Sequence, residues 1–336
     1  MTGTTLPPVD PTQTHGVGEF KHSRPLTACC WDPLARYVFC GAEDHLVHRF
    51  DLAKRTFTPL AAHDSWVRGL AVSPDGAVLF SGGYDGRLIW WPAAAERPEP
   101  LRVVDAHAGW IRAVAVSSDG RLVATCGNDR LVKIWDAAQG TLVHSLSGHA
   151  SHVYHAIFTA GSSALVSCDL HGVVRSWSTA AETLAEVVTV PDLHFYDTTF
   201  RADIGGARSI ALRSDGARVA LGGITNVSNA FAGVGEVAVA VVDVADRRVE
   251  TVLRSKDKVQ GAVWGVAHHP AGFWLGVSGG GGGWLHCWKG NEPHEFFKLK
   301  LPSDGRGMGL SPDQRQLAVA HADGHLRLYA LHAKTA

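Results

Sequence analysis

The sequence predicts an all-β protein, a propeller of seven blades with four antiparallel strands each, closed by a strand from the N-terminus. Three observations carry this. A frame of apolar run, Ser-x-Asp-Gly turn, second apolar run, tight Asp-bearing turn and third run ending in Trp spans His63–Trp91 and recurs at His107–Trp135. Its marked residues stay in register, with His63 and His107, Asp85 and Asp129, and Trp91 and Trp135 each 44 residues apart. A repeat of this period with turns at fixed offsets reads as a radially repeated four-stranded sheet. The third observation is a lone strand-like stretch, residues 15–21, that precedes the first repeat, while the last repeat ends without a fourth strand. An open ring would expose sheet edges, so the orphan strand is expected to complete the last blade.

Taken in order, residues 1–14 are rich in Pro and Thr and are expected to form a disordered tail. A single domain then covers 15–332, with blades at about 22–62, 63–106, 107–148, 149–202, 203–258, 259–300 and 301–332 plus 15–21. Repeat one keeps His22 and Asp44 but has Cys40 in the hydroxyl slot and Phe50 in the Trp slot. Repeat four keeps His149, Ser167 and Trp177 and places His171 in the Asp slot. Repeats five and six are looser, with Val242 in the Trp slot of the first, and Trp288 and the run Gly279–Gly283 in the second. Repeat seven has Asp323 and Tyr329. Two insertions, 191–206 and 224–236, interrupt the pattern.

Composition limits the function. With 336 residues, 46% of them hydrophobic, the chain can bury a large core, and a net charge of −1 leaves any charge-driven binding to local patches. Nucleic acid is therefore not an expected partner. The six cysteines lie in apolar runs without metal-type spacing, as buried reduced thiols do, which points to the cytoplasm. The N-terminus lacks an apolar core and no stretch is long enough to span a bilayer, so neither a signal peptide nor membrane insertion is expected.

The recurring residues are His22, His63, His107 and His149 in the loop, Ser81, Thr125 and Ser167 on a strand, Asp44, Asp85, Asp129 and Asp323 at the turn, and Trp91, Trp135, Trp177 and Trp288. This set, with the Trp135-Asp136 dipeptide, resembles the WD-repeat family over nearly the whole chain. The resemblance implies a seven-bladed propeller and a scaffold or recognition role, usually toward proteins or peptides.

Each strong repeat holds a Ser/Thr, a His and an Asp, which invites a reading as a nucleophilic triad. Recurrence blade after blade argues against one active site. The expected role is structural, as tetrads: His63, Ser81, Asp85 and Trp91; His107, Thr125, Asp129 and Trp135; and His149, Ser167 and Trp177. No catalytic residue, cofactor or metal site follows, and the adjacent His268-His269 is not read as a ligand pair.

Binding residues are expected at the mouth of the central channel. One register position at the start of each innermost strand gives Thr27, Arg68, Arg112, Tyr154, Arg208, Trp264 and Arg306. Two residues earlier stand Trp66 and Trp110, and Arg130 and His45 follow the turn Asp of their repeats. The insertion at 191–206 adds His194, Phe195, Tyr196, Phe200 and Arg201. Guanidinium groups bind carboxylate or phosphate in bidentate fashion, and Trp, Tyr and Arg dominate interface hot spots. The alternative is internal use: arginines paired with Glu43, Asp64 or Asp203, the two tryptophans packed between blades, and the inserted aromatics plugging the irregular blades. Gly279–Gly283 lacks the Lys-Ser/Thr of a phosphate loop and reads as a turn. The expected function is a non-catalytic scaffold that binds a protein or peptide, with an acidic one suiting the arginines. A reader of a phosphorylated or other anionic ligand is the alternative, and an enzyme at the channel mouth the remote one. A monomer is expected.

Overall fold

A computed structural model describes residues 7–181, 183–213, 215–229 and 234–334. Seven four-stranded antiparallel sheets follow one another, each with its strands paired in chain order except the last. The innermost strands are Leu26–Trp31, Val67–Val72, Ile111–Val116, Val153–Phe158, Ser209–Leu212, Ala262–His269 and Gly305–Leu310. The second strands, such as Val78–Gly83 and Leu122–Gly127, are buried along nearly their whole length. A blade sandwiched between two others has no solvent face, which is why these strands read as continuous apolar runs rather than alternating ones.

The core lies between blades. Trp91 of blade two, fully buried, packs in one cluster with Phe39, Val47 and Leu60 of blade one. Blades seven and one share another, with Ala318, Ala320 and Leu326 against Val38, Cys40 and Phe50. Val242, which stands where Trp is usual, joins an aliphatic cluster of blades four and five with Val166, Leu193 and Leu221. All six cysteines are free thiols. Among the described residues, no helix is long and apolar enough to cross a membrane.

The ring closes through residues His15–Lys21, which pair antiparallel with His325–Ala330. Blade seven is thus built from both ends of the chain. The expectation of a disordered tail to residue 14 needs correction for residues 7–14. Asp10 accepts the Thr12 N–H and caps a short 3-10 turn at Pro11–Gln13, and its own N–H donates to the Leu331 carbonyl. Val9 bridges His332. These bonds tie the segment to the C-terminal strand; the remaining residues of the expected tail, 1–6, lie outside the described residues.

Both insertions have strand structure rather than the loops expected. Residues 191–206 form a short turn at Pro191–Leu193 and a hairpin of His194–Asp197 and Ala202–Gly205. Residues 224–236 lengthen two strands of blade five, Arg218–Asn229 and Val234–Asp243, which pair through Ile224–Val237 and Thr225–Glu236. Residues 230–233 of that insertion lie outside the described residues. Strand pairing satisfies backbone groups that a long loop would leave to water.

Candidate functional site

The start of each innermost strand faces the same end of the propeller as the turn between the second and third strands, because the first two strands are antiparallel. Thr27, Arg68, Arg112, Tyr154, Trp264 and Arg306 occupy equivalent points at this end. Each sits at a break in strand register, between Leu26 and Ala28, Val67 and Gly69, Ile111 and Ala113, Val153 and His155, Val263 and Gly265, and Gly305 and Gly307. A bulge adds one residue to a strand and re-aims its side chain. Here it recurs blade by blade and defines the register position at which these six residues enter the channel mouth. Arg208 precedes its strand, and its N–H donates to Gly222 O at 2.7 Å.

Arg68, Arg112, Arg208, Trp264 and Arg306 line a cavity of about 350 Å³ together with Thr27 and His155. No carboxylate is among its lining residues. From blade three to blade seven cations and aromatic residues alternate, as Arg112, Tyr154, Arg208, Trp264 and Arg306. The Arg112 guanidinium lies 4.8 Å from the Trp110 ring and 4.6 Å from Tyr154; Arg208 lies 4.3 Å from Tyr154 and 5.4 Å from Trp264; Arg68 lies 4.7 Å from Trp264. Each such contact contributes about 0.5–2 kcal/mol depending on desolvation.

Of the internal pairings considered for the arginines, one forms, Arg306 with Glu43 at 3.7 Å. Asp64 pairs with Arg87, and Asp203 with His171 and His194. Arg68 and Arg112 instead donate to the Thr27 carbonyl and the Asn128 side-chain oxygen, each at 2.8 Å. Among the described residues, no carboxylate lies within ion-pair distance of Arg68, Arg112 or Arg208, and Arg208 Nε is buried without a partner. Desolvation, reinforced by the charges of Arg208, Arg112 and Arg306, pulls the Arg68 guanidinium down to about 10, so it stays protonated at neutral pH. Cations held this close, with π faces but few anions as neighbours, form a positive site that an incoming anion would relieve.

Trp66 and Trp110 do not pack away between blades; they are 40% and 43% exposed. Tyr84 lies between them, stacked on Trp110 at 4.2 Å and 2° and tilted against Trp66 at 6.1 Å. Tyr84 was not legible as a site residue, although its place just before Asp85 at a turn on the same face is a usable signal. The aromatic patch runs directly into the arginine ring through Arg112. Arg130 is exposed at the neighbouring turn with φ 69°, and His45 has φ 71° at the matching place in blade one; blade two uses Gly86 there. Phe195, Tyr196 and Phe200 are 40%, 49% and 56% exposed, so these aromatics do not plug the gap; buried Leu193 packs there instead.

The tetrads form proton-ordered chains. Trp91 Nε1 donates to Ser81 Oγ at 2.8 Å, Ser81 Oγ meets His63 Nε2 at 2.8 Å, and His63 Nδ1 meets Asp85 at 3.0 Å. The Asp85 carboxylate can only accept, so Nδ1 of His63 carries the proton that it donates; with the ring's other nitrogen then bare, Nε2 accepts the Ser81 hydroxyl proton while Ser81 Oγ accepts from Trp91. Trp135, Thr125, His107 and Asp129 repeat the chain. In blade four Trp177, Ser167 and His149 end on Asp169, fully buried, rather than on a residue in the expected turn slot. Blade one lacks the hydroxyl and the Trp, and there both His22 and His48 bond Asp44, at 2.8 and 3.0 Å. Burial pushes the Asp44 carboxyl up, but the bonds and charges of the two histidines, with the Leu46 N–H, outweigh it and bring it to about 2. His269 is satisfied by Gln314 O and the Ala271 N–H, and the glycine run of blade six turns in to give the Gly282 N–H to Asp304.

The family model of the WD domain, G-beta repeat, matches residues 16–51, 54–92, 98–136 and 140–178. The chain carries four WD40 repeats in a seven-bladed propeller. The nuclear distribution protein nudF of Emericella nidulans is 30% identical over 90 residues, which is 27% of this chain and 19% of that protein. The chain thus spans less than a fifth of the relative it matches. The matched repeats are blades one to four of the WD40 propeller, those with the tetrads and with the Trp66–Tyr84–Trp110 patch. Blades five to seven complete the ring with weaker sequence signals and carry Arg208, Trp264 and Arg306.

Proposed function

We propose that this WD40 propeller is a non-catalytic scaffold that docks a protein or peptide partner on the face carrying Trp66, Tyr84 and Trp110, with an acidic or phosphorylated side chain of the partner entering the arginine-lined mouth. The observation that carries the reading is the set of guanidiniums of Arg68, Arg112 and Arg208, which face aromatic rings and no carboxylate among the described residues. Exposed aromatics beside half-buried cations match the anatomy of an interface hot spot, where apolar anchors exclude water around a charged contact. A folded partner and an extended peptide both fit this chemistry. The free thiols, with Cys29 pushed up to about 12 by burial, support a reducing compartment such as the cytoplasm.

The experiment identifies a partner by co-purification from the source cells and measures its affinity for wild type and for Arg112→Glu and Arg208→Glu. Each substitution is expected to weaken binding at least tenfold, and wild-type affinity to fall as salt is raised. Affinity indifferent to salt and to both substitutions would refute the assignment of the arginine ring.

A further inference from the structure

His171, His194 and Asp203 come together from two separate parts of the chain. His171 sits at the blade-four turn, while His194 and Asp203 belong to the inserted hairpin. His194 Nε2 lies 2.8 Å from Asp203 Oδ1, and His171 Nε2 lies 3.4 Å from Asp203 Oδ2, with the two imidazole rings 4.9 Å apart. One ligand atom from each residue falls within 4.8 Å of the other two. We propose that these three residues form a binding site for a zinc-type divalent cation on the face that carries the arginine ring.

The donor set fits. Two imidazoles and one carboxylate are ligands of borderline-soft metals, and three protein ligands with an open fourth position are a common zinc arrangement. Bonds of about 2.0–2.1 Å in tetrahedral geometry place ligand atoms about 3.3 Å apart, so small side-chain rotations suffice. The three side chains are 33%, 27% and 34% exposed, which leaves the open position to water.

The surroundings preorganise the cluster. Asp169 accepts the His171 N–H at 3.0 Å and takes over the tetrad bond to His149, so His171 is released from the role its slot has in other blades. On the hairpin, His194 pairs with Gly205 and Tyr196 with Asp203, which sets His194 and Asp203 as diagonal neighbours on one side. Among the described residues a second three-residue cluster, His22, Asp44 and His48, differs. His48 is buried, and Asp44 also accepts the Leu46 N–H, which makes that group the tetrad substitute of blade one.

Zinc would staple the hairpin to blade four, independently of what docks nearby. The test is calorimetric titration of Zn²⁺ into chelator-treated protein at pH 7.5, with Co²⁺ as a spectroscopic probe. One ion per chain with micromolar or tighter affinity is expected, together with visible Co²⁺ bands typical of low coordination number. His194→Ala and Asp203→Asn should each weaken binding at least tenfold with unchanged circular dichroism. Absence of Zn²⁺ binding, or affinity unchanged in both variants, overturns the proposal. So does binding that survives both variants and is lost in His48→Gln, since the ion would then sit in blade one.

Discussion

Arg208 lies with its guanidinium 4.3 Å from the centre of the Tyr154 ring, while Arg112 approaches the same ring at 4.6 Å. Tyr154 is thus a shared π wall between two like charges. Tyr154→Leu should destabilise the fold by about 1–3 kcal/mol, since it removes two cation–π contacts and lets the guanidiniums repel with less between them. Urea unfolding measures this, and the deficit should shrink when salt is added. A loss that does not respond to ionic strength would mean that simple packing explains it.

Arg130 and His45 hold positive φ where blade two uses glycine. A side chain in that conformation costs roughly 1 kcal/mol. Arg130→Gly should therefore raise stability by no more than about 0.5 kcal/mol, because the larger entropy of glycine in the unfolded chain offsets much of the strain it relieves. It should also weaken partner binding several-fold. A variant that is more stable and binds equally well would show that Arg130 has no role on the face.

Asp169 accepts bonds from His149 and from the N–H groups of His171 and Val173, all in a fully buried position. Asp169→Ala leaves the buried His149 ring N–H and two part-buried backbone N–H groups without their acceptor, a loss of about 3–5 kcal/mol. Asp169→Asn keeps one acceptor oxygen and should lose about half of that. Chemical denaturation of the two variants side by side tests the ranking; equal losses would mean that the charge of the carboxylate, rather than its shape and single remaining acceptor, holds the turn.

His286 and His321 are fully buried, and burial lowers them to about 3 and about 4. Both stay neutral in the folded protein while the unfolded chain takes up protons below about pH 6.5. The stability they contribute is complete above that pH and falls as pH drops toward 4, by about 1.4 kcal/mol per pH unit for each histidine. Urea midpoints measured from pH 7.5 to 5 should decline accordingly, and His286→Leu should flatten the decline by its share.

Much of the ring was legible because a repeat converts sequence register into position around an axis. Arg68, Arg112, Tyr154, Arg208, Trp264 and Arg306 could be aligned before any coordinates, and the structure puts them at one mouth. Register says nothing about which way a side chain points, and the bulges at those positions settle that. Asp169 escaped because a carboxylate two residues upstream of its usual slot reaches the same imidazole nitrogen by a different backbone path. The hairpin at 194–205 escaped because its two strands are only four residues each, too short for alternation to register.

The last blade draws Phe20 alongside Leu326, and this has a kinetic consequence. The entropic penalty of pairing chain ends so far apart grows only slowly with the enclosed length, about 0.6 kcal/mol per doubling, but contacts of such separation form late. During synthesis the emerging chain must keep residues 15–21 unpaired until His325–Ala330 leaves the ribosome. Until then the strand at 15–21 stays an unpaired edge, and blade seven cannot be completed before the whole chain is available.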